Sequence, residues 1–158
     1  MVEQLVQDDT VDAVRALARL SRLIESRLGE LSLAHYRVLS AVAGGDERAS
    51  RIAVRLALGK PTISSSVEGL VRRGLLDRAD VAGDQRGSSL TVTADGRRLL
   101  SETEDVLTEA LRTLAARTAD PVGVIRALGQ LGGAVEEVAQ ERAAAGTSAG
   151  VDATATSR

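Results

Sequence analysis

Hydrophobic residues recur every three or four positions through most of the chain, which is the spacing of an amphipathic α-helix. The pattern predicts a first helix over residues 10–30, with an apolar stripe made of Val14, Leu17, Leu20, Ile24 and Leu28. A second helix can be capped by Ser32 and is predicted to end at residues 44–45, which are both glycine. Ser50 can cap a third, short helix.

A tight break separates the third helix from a fourth. Residues 58–60 are Leu-Gly-Lys, and Pro61 follows at a position where a helix needs no N–H. The fourth helix is predicted over residues 61–73, with an inward side made of Ile63, Val67, Leu70 and Val71. Its exposed side is predicted to carry Thr62, Ser64, Ser65, Ser66 and Glu68. Two helices joined by a tight glycine-containing turn are typical of a helix-turn-helix.

Two short strands are predicted next, over residues 75–79 and 89–93, with a turn-rich connection that makes them a β-hairpin. Thr93 can then cap a fifth helix that reaches about residue 117. A sixth helix restarts at Asp120-Pro121, and its apolar seam is Val124, Leu128, Leu131, Val135 and Val138. The predicted fold is therefore mainly α with a small β-hairpin wing, a winged helix-turn-helix with long N- and C-terminal helices.

Basic residues are concentrated in the middle of the chain, although the net charge of the whole is −2. Residues 48–98 carry ten basic groups against five acidic ones, a net charge of +5. The flanking segments are acidic, at −3 for residues 1–47 and −4 for residues 99–158. Because phosphate attraction requires a local positive surface, this distribution indicates double-stranded DNA as a partner of the middle segment.

The composition excludes or disfavours several other classes of function. The absence of cysteine removes disulfides, thiolate metal sites and cysteine redox switches, and one histidine, His35, leaves few ligands for a metal. The only histidine lies on an amphipathic helix and the chain has no phosphate-cradling loop, so we expect neither an enzyme nor a cofactor. No apolar run approaches the ~18 residues of a membrane span, so a cytoplasmic protein without membrane contact is expected.

The stretch from residue 31 to residue 100 resembles the MarR family of multiple-antibiotic-resistance-type regulators. The matching pieces are LSLAHYRVL, then IAVRLALGKPTISSSVEGLVRRGLLDR, then GDQRGSSLTVTADGRRLL. The resemblance implies a winged-helix dimer that usually represses nearby genes and is often released from DNA by a small molecule. We therefore predict a sequence-specific DNA-binding regulator, a repressor that acts as a homodimer on a palindromic operator.

Under this interpretation the chain divides into four parts. Residues 1–31 form an N-terminal dimerisation helix, residues 32–98 form the winged helix-turn-helix lobe, and residues 99–142 form C-terminal dimerisation helices. Residues 143–158 have no apolar period and are predicted to be a disordered tail. A rival hypothesis is a protein-interaction module, a winged helix that has lost DNA binding.

The predicted DNA-binding residues lie on the fourth helix and the wing: Lys60, Pro61, Thr62, Ser64, Ser65, Glu68, Arg72, Arg73, Asp84 and Arg86. By the resemblance, Arg86 is the wing-tip arginine that enters the minor groove, and Asp84 holds the wing. The serines could instead coat a solvated helix, and Asp84 and Arg86 could be a solvated turn pair. Family members often carry a basic residue where this chain has Ser65 and a large apolar one at Ser66.

The resemblance places an effector pocket where the flanking helices meet the DNA-binding lobe, near His35 and Tyr36. Tyr36 could instead be core packing, and His35 could be a surface residue or a hydrogen-bond partner between helices. The predicted dimerisation residues are Val14, Leu17, Leu111, Leu114, Val124, Leu128, Leu131 and Val135, which could alternatively form an intramolecular core. The sixth helix contains Gly129, Gly132 and Gly133. These glycines could allow another helix to approach closely, or they could break the sixth helix.

Overall fold

The computed structural model describes residues 2–45, 48–80 and 88–152. Within these ranges the elements are α1 (Val2–Arg27), α2 (Leu33–Ala43), α3 (Ala49–Arg55), α4 (Lys60–Arg72), β1 (Leu76–Asp80), β2 (Ser88–Val92), α5 (Ala94–Ala115) and α6 (Pro121–Asp152). The prediction of a mainly helical winged helix-turn-helix with one β-hairpin is confirmed. None of the helices in the described ranges combines the length and the apolar character that a membrane crossing requires.

The core lies among α2, α3, α4 and the hairpin. Its most deeply buried side chains are all aliphatic, and they include Val38, Leu39, Ile52, Leu76 and Leu90. The inward side predicted for the fourth helix is confirmed, because Ile63, Val67 and Leu70 are fully buried and contribute to the same cluster. Tyr36 packs against the edge of this cluster. Burial of this aliphatic face fixes which side of α4 is left exposed.

Two of the three predicted helix caps are confirmed. The Ser32 Oγ accepts a hydrogen bond of 3.1 Å from the His35 N–H, and the Thr93 Oγ1 accepts one of 3.0 Å from the Gly96 N–H. The Ser50 cap is wrong, because α3 begins one residue before Ser50. The main-chain carbonyl of Arg48 accepts the first hydrogen bonds of the helix and leaves Ser50 inside it.

The wing is an antiparallel pair in which Leu76 lies opposite Val92 and Asp80 lies opposite Ser88. The predicted hairpin is therefore confirmed, with strands displaced by one residue from the predicted ones. The connection between the strands carries the predicted site residues Asp84 and Arg86, which lie outside the described residues.

The last helix is longer than predicted, and its glycines do not interrupt it. α6 continues to residue 152 and so includes residues 143–152 of the predicted disordered tail, while residues 153–158 lie outside the described part of the chain. Consecutive alanines have the highest helix propensity, which favours helix without any apolar period. A Cβ added at Gly129, Gly132 or Gly133 would meet no heavy atom within 4 Å, so close helix approach is not observed for the described residues.

The turns that end α3 and α4 differ at their left-handed residue, which is Ala57 (φ 50°) after α3 and Gly74 (φ 68°) after α4. Left-handed backbone strains a residue with a Cβ but not glycine. We expect Ala57→Gly to raise the free energy of unfolding by about 1 kcal/mol and Gly74→Ala to lower it by about as much. Urea unfolding followed by circular dichroism measures both changes, and changes of equal sign would contradict the argument.

Candidate nucleic-acid interface

The second helix of the helix-turn-helix, α4, presents small polar side chains to solvent. Thr62, Ser64, Ser65 and Glu68 are exposed, as the sequence predicted. Ser66 was predicted on the same exposed side, and this is wrong, because its exposed fraction is 6%. The helical period turns Ser66 inward with the buried aliphatic residues of α4. The exposed face is therefore narrow and lined by hydroxyl groups.

Cations lie at both ends of this face. Lys60 is the first residue of α4, next to a helix N-terminus whose free N–H groups and dipole favour anions. Pro61 lies in the first turn and is exposed, and Arg72 is exposed in the last turn. Because phosphates are anionic, a polar helix face with cations at its two ends is suited to a nucleic-acid backbone.

Arg73 has a structural partner as well as a place at the end of α4. Its Nη1 donates to the Glu30 main-chain carbonyl at 3.1 Å, and its Nη2 donates to the Glu30 carboxylate at 3.3 Å. The Arg73 side chain is about one-third exposed. These bonds tie the end of α4 to the turn between α1 and α2, so Arg73 orients the helix even without a ligand.

His35 packs against α4. A Cβ added at Gly69 would lie 2.9 Å from the His35 Nε2, so the imidazole occupies the space that a larger residue at position 69 would need. Burial, followed by the positive charges of Arg73 and Arg72, lowers the pKa of His35. The lowered pKa favours the neutral form of the imidazole in the contact between α2 and α4.

Tyr36 lines a cavity of about 460 Å³ between α1, α2, α5 and α6, and His35 is not among the residues around it. The walls are largely aliphatic, and they include Leu20, Ile24, Leu107, Leu111 and Leu128. Arg27 and Arg37 also line the cavity. Burial, and secondarily the Glu104 carboxylate, raises the pKa of the Tyr36 phenol. The cavity thus combines an apolar wall with a protonated phenol and two cations.

The residues predicted for dimerisation separate into two groups. Leu111, Val124 and Leu128 are half-buried within the chain itself. The others are exposed large apolar side chains, namely Val14, Leu17, Leu114, Leu131 and Val135. Leu131 and Val135 are 55% and 65% exposed, although they belong to the same apolar seam of α6 as Leu128. The apolar stripe of α6 is thus partly buried at its beginning and exposed to solvent further along. Such an exposed apolar surface is typical of a surface that another chain covers.

The sequence identified Thr93 only as a cap, but its role is wider. The Thr93 hydroxyl donates to the Gly74 carbonyl at 2.7 Å, and the Thr93 N–H donates to the Leu75 carbonyl at 3.2 Å. Together with the cap at Gly96, these bonds join the end of α4, the start of the hairpin and the start of α5. The partners lie some twenty residues apart, so no local pattern could have found them.

Further exposed cations lie in the basic segment, and two of them are on α3 and on the wing. Arg51 lies on α3 and Arg78 on β1, and both are exposed. Neither was predicted as a site residue, although the excess of basic groups in residues 48–98 was the signal that could have pointed to them. They extend the basic character of the lobe beyond α4.

Comparison with known proteins gives evidence about the family and the fold that does not depend on the geometry of the site. Residues 30–87 match the model of the MarR family. No curated protein matches the chain. Among solved structures, the chain is similar to the PcaV transcriptional regulator from Streptomyces coelicolor in complex with its natural ligand, with 27% identity, a TM-score of 0.61 and coverage of 75% of this chain and 86% of that one.

Two other solved structures share the fold at lower identity. Staphylococcus aureus MarR in complex with salicylate and kanamycin is 18% identical, with a TM-score of 0.72 over 88% of this chain and 95% of that one. The M. tuberculosis transcriptional regulator MOSR in complex with DNA is 22% identical, with a TM-score of 0.60 over 82% and 96%. Residues 30–87 therefore match the MarR family of transcriptional regulators, and the chain around them shares the fold of a MarR structure.

Proposed function

We propose that this protein is a sequence-specific repressor that binds a palindromic operator as a homodimer, with α4 in the major groove. The observation that carries the proposal is the division of α4 into a buried aliphatic side and an exposed side of hydroxyl groups with cations at its ends. The major groove accepts a helix only when the outward side of that helix is narrow and polar. The proposed contact residues are Lys60, Pro61, Thr62, Ser64, Ser65, Glu68, Arg72 and Arg73, with Asp84 and Arg86 on the wing.

The exposed apolar residues of α1, α5 and α6 support the dimer. We call the helix that enters the major groove, α4, the reading helix. One reading helix covers too little DNA to be selective, whereas two of them related by a two-fold axis contact half-sites ~34–36 Å apart. Leu131 and Val135 would lie in an aqueous environment in a monomer, which is costly for large aliphatic side chains. A second copy packed on the same face removes that cost and sets the distance between the two reading helices.

The cavity next to Tyr36 supports release by a small molecule. Its volume suits a ligand of about drug-fragment size, and its aliphatic walls favour an apolar body. Arg27 and Arg37 would attract a negative group on that ligand. Two of the structural neighbours hold small molecules, salicylate with kanamycin in one and a natural ligand in the other. His35, which was predicted together with Tyr36, has its proposed role in the contact with α4 instead.

Selection from a randomised duplex pool at low ionic strength tests the proposal. We expect recovery of an inverted repeat, with affinity that falls by roughly 10³-fold between 50 and 200 mM salt because bound phosphates release counterions. Failure to bind any duplex at low salt would reject the regulator and favour the protein-interaction module. Binding without an inverted repeat would keep DNA as the partner and reject the palindromic operator.

Substitutions at Ser65 test whether α4 is the reading helix. We expect Ser65→Glu to weaken operator binding by roughly 1–3 kcal/mol, because it places a carboxylate against phosphates. Ser65→Arg should strengthen binding. It should also make the slope of the logarithm of the affinity against the logarithm of the salt concentration steeper by about one. Ala119, exposed in the turn between α5 and α6, provides the matched control with the same two substitutions. Equal effects at the two positions would mean that net charge, and not the α4 face, governs binding.

A further inference from the structure

The second half of α6 contacts α3, the first helix of the helix-turn-helix. The Arg55 Nη2 lies 3.3 Å from the Glu136 Oε1, and these residues are 81 positions apart in the chain. Ala139, one turn beyond Glu136, is buried, and Gln140 borders a cleft whose other walls are residues of α3. The face of α6 that follows Val135 therefore rests on α3.

Arg55 lies where three helices meet. It is the last residue of α3, and a Cβ added at Gly44 would lie 3.4 Å from the Arg55 Nη1, so the guanidinium also covers the C-terminal end of α2. A helix C-terminus favours a cation, because its free carbonyls and dipole are negative. The side chains of Arg55 and Glu136 are 34% and 47% exposed, so their attraction is partly screened by solvent. The contact fixes a geometry more than it stabilises the fold.

The same stretch of α6 carries the proposed dimer surface. Leu131 and Val135 point to solvent on a face next to the one that contacts α3. Val124 and Leu128 pack on the body of the protomer at the beginning of the same uninterrupted helix. A continuous helix is stiff over this distance, roughly 18 Å from residue 124 to residue 136. A dimer contact that fixes the position of α6 therefore also fixes the position of α3.

We infer that Arg55 and Glu136 are positioning residues that set the distance between the two reading helices of the dimer. α3 packs directly on α4, so the place where α6 holds α3 determines where α4 enters the groove. A DNA duplex accepts two reading helices only at a matching separation along its axis. The contact therefore selects the spacing of the half-sites, and this inference rests on the proposed function.

Charge reversal with rescue tests the inference. The variants are Glu136→Arg, Arg55→Glu and the double exchange, with Glu137→Arg as control, since Glu137 is exposed on the same helix turn and undergoes the same charge change. Selection from a randomised duplex pool gives the spacing of the recovered half-sites. Competition binding to the wild-type site and to versions lengthened or shortened by one base pair gives the affinity at each spacing.

We expect wild type and Glu137→Arg to prefer one spacing. Glu136→Arg should lose roughly five- to tenfold in affinity at that spacing and accept the altered sites almost as well, and the double exchange should restore the preference. A loss confined to Arg55→Glu and equal at all spacings would overturn the inference, because Arg55 would then act directly on phosphate. An unchanged spacing preference in Glu136→Arg would also overturn it.

A wild-type protein that recovers no paired half-sites would reject the proposed function and the inference with it. Paired half-sites from wild type, with no change in any variant, would reject the inference alone. Thermal unfolding of each variant separates the two roles of the contact, since a merely stabilising ion pair would change the melting temperature and leave the preferred spacing where it was.

Discussion

Val135→Glu is expected to convert the proposed dimer to monomers and to remove operator binding. Val135 is 65% exposed in the protomer, and Leu131 lies one turn before it on the same face. In a two-fold interface the substitution buries two unpaired carboxylates, each of which costs roughly 3–5 kcal/mol. The dissociation constant of the dimer should rise by at least about 100-fold. Sedimentation velocity measures the oligomeric state, and competition binding to the selected duplex measures the loss.

Val122→Glu is the matched control for this prediction. Val122 is on the same helix and 64% exposed, so the chemical change and the exposure are equal. The helical period places it on the side of α6 away from Val135. It lies in the first turn, where an added carboxylate is favourable. Dimers that survive Val135→Glu, or that dissociate with both substitutions, would show that the interface uses another face.

Gly96→Ala is expected to lower the free energy of unfolding by about 3 kcal/mol, at the upper end of the usual cost of overpacking. An added Cβ would collide with the Leu75 carbonyl oxygen and lie 2.9 Å from the Val92 Cγ1. The Leu75 carbonyl cannot move away easily, because it accepts the hydrogen bond from the Thr93 N–H. The clash therefore falls on the junction of α4, the hairpin and α5.

Urea unfolding followed by circular dichroism measures the effect of Gly96→Ala, with Gly129→Ala as its control. Gly129 is inside α6 with open space around its Cβ position, so alanine there should stabilise the protein by roughly 0.5–1 kcal/mol through helix propensity alone. A Gly96→Ala variant within 0.5 kcal/mol of wild type would mean that α5 can shift away from the hairpin at little cost. In that case the wing is less firmly coupled to α5 than the contacts indicate.

The predictions that held depended on local interactions. Ser32 and Thr93 were identified as caps because a side-chain hydroxyl and an N–H three residues later decide a helix start. The inward side of α4 followed from the helical period alone. Ser50 failed because a nearby main-chain carbonyl, that of Arg48, began the helix first. The prediction that Ser66 is exposed failed because the polarity of its side chain was given more weight than the helical period. The helical period places Ser66 among buried neighbours.

The candidate site could be predicted only in part, for the same reason. The exposed hydroxyl groups of α4 and its terminal cations follow from residues within one helix. The anchoring of Arg73 by Glu30 and the contact of Arg55 with Glu136 join residues 43 and 81 positions apart. Many cations and carboxylates of the chain could form such pairs, and only the folded backbone selects among them.

The sequence by itself determined the order of helices and strands, the aliphatic core and the basic middle segment. It did so because the helical period, capping chemistry and charge act over a few residues and need no distant partner. Only the tertiary structure decided that His35 packs on α4 while Tyr36 lines the cavity, since neighbours in sequence point to different sides of a helix. It also decided which apolar residues of α6 are buried within the protomer and which are left for another surface, because burial depends on what the fold brings alongside them.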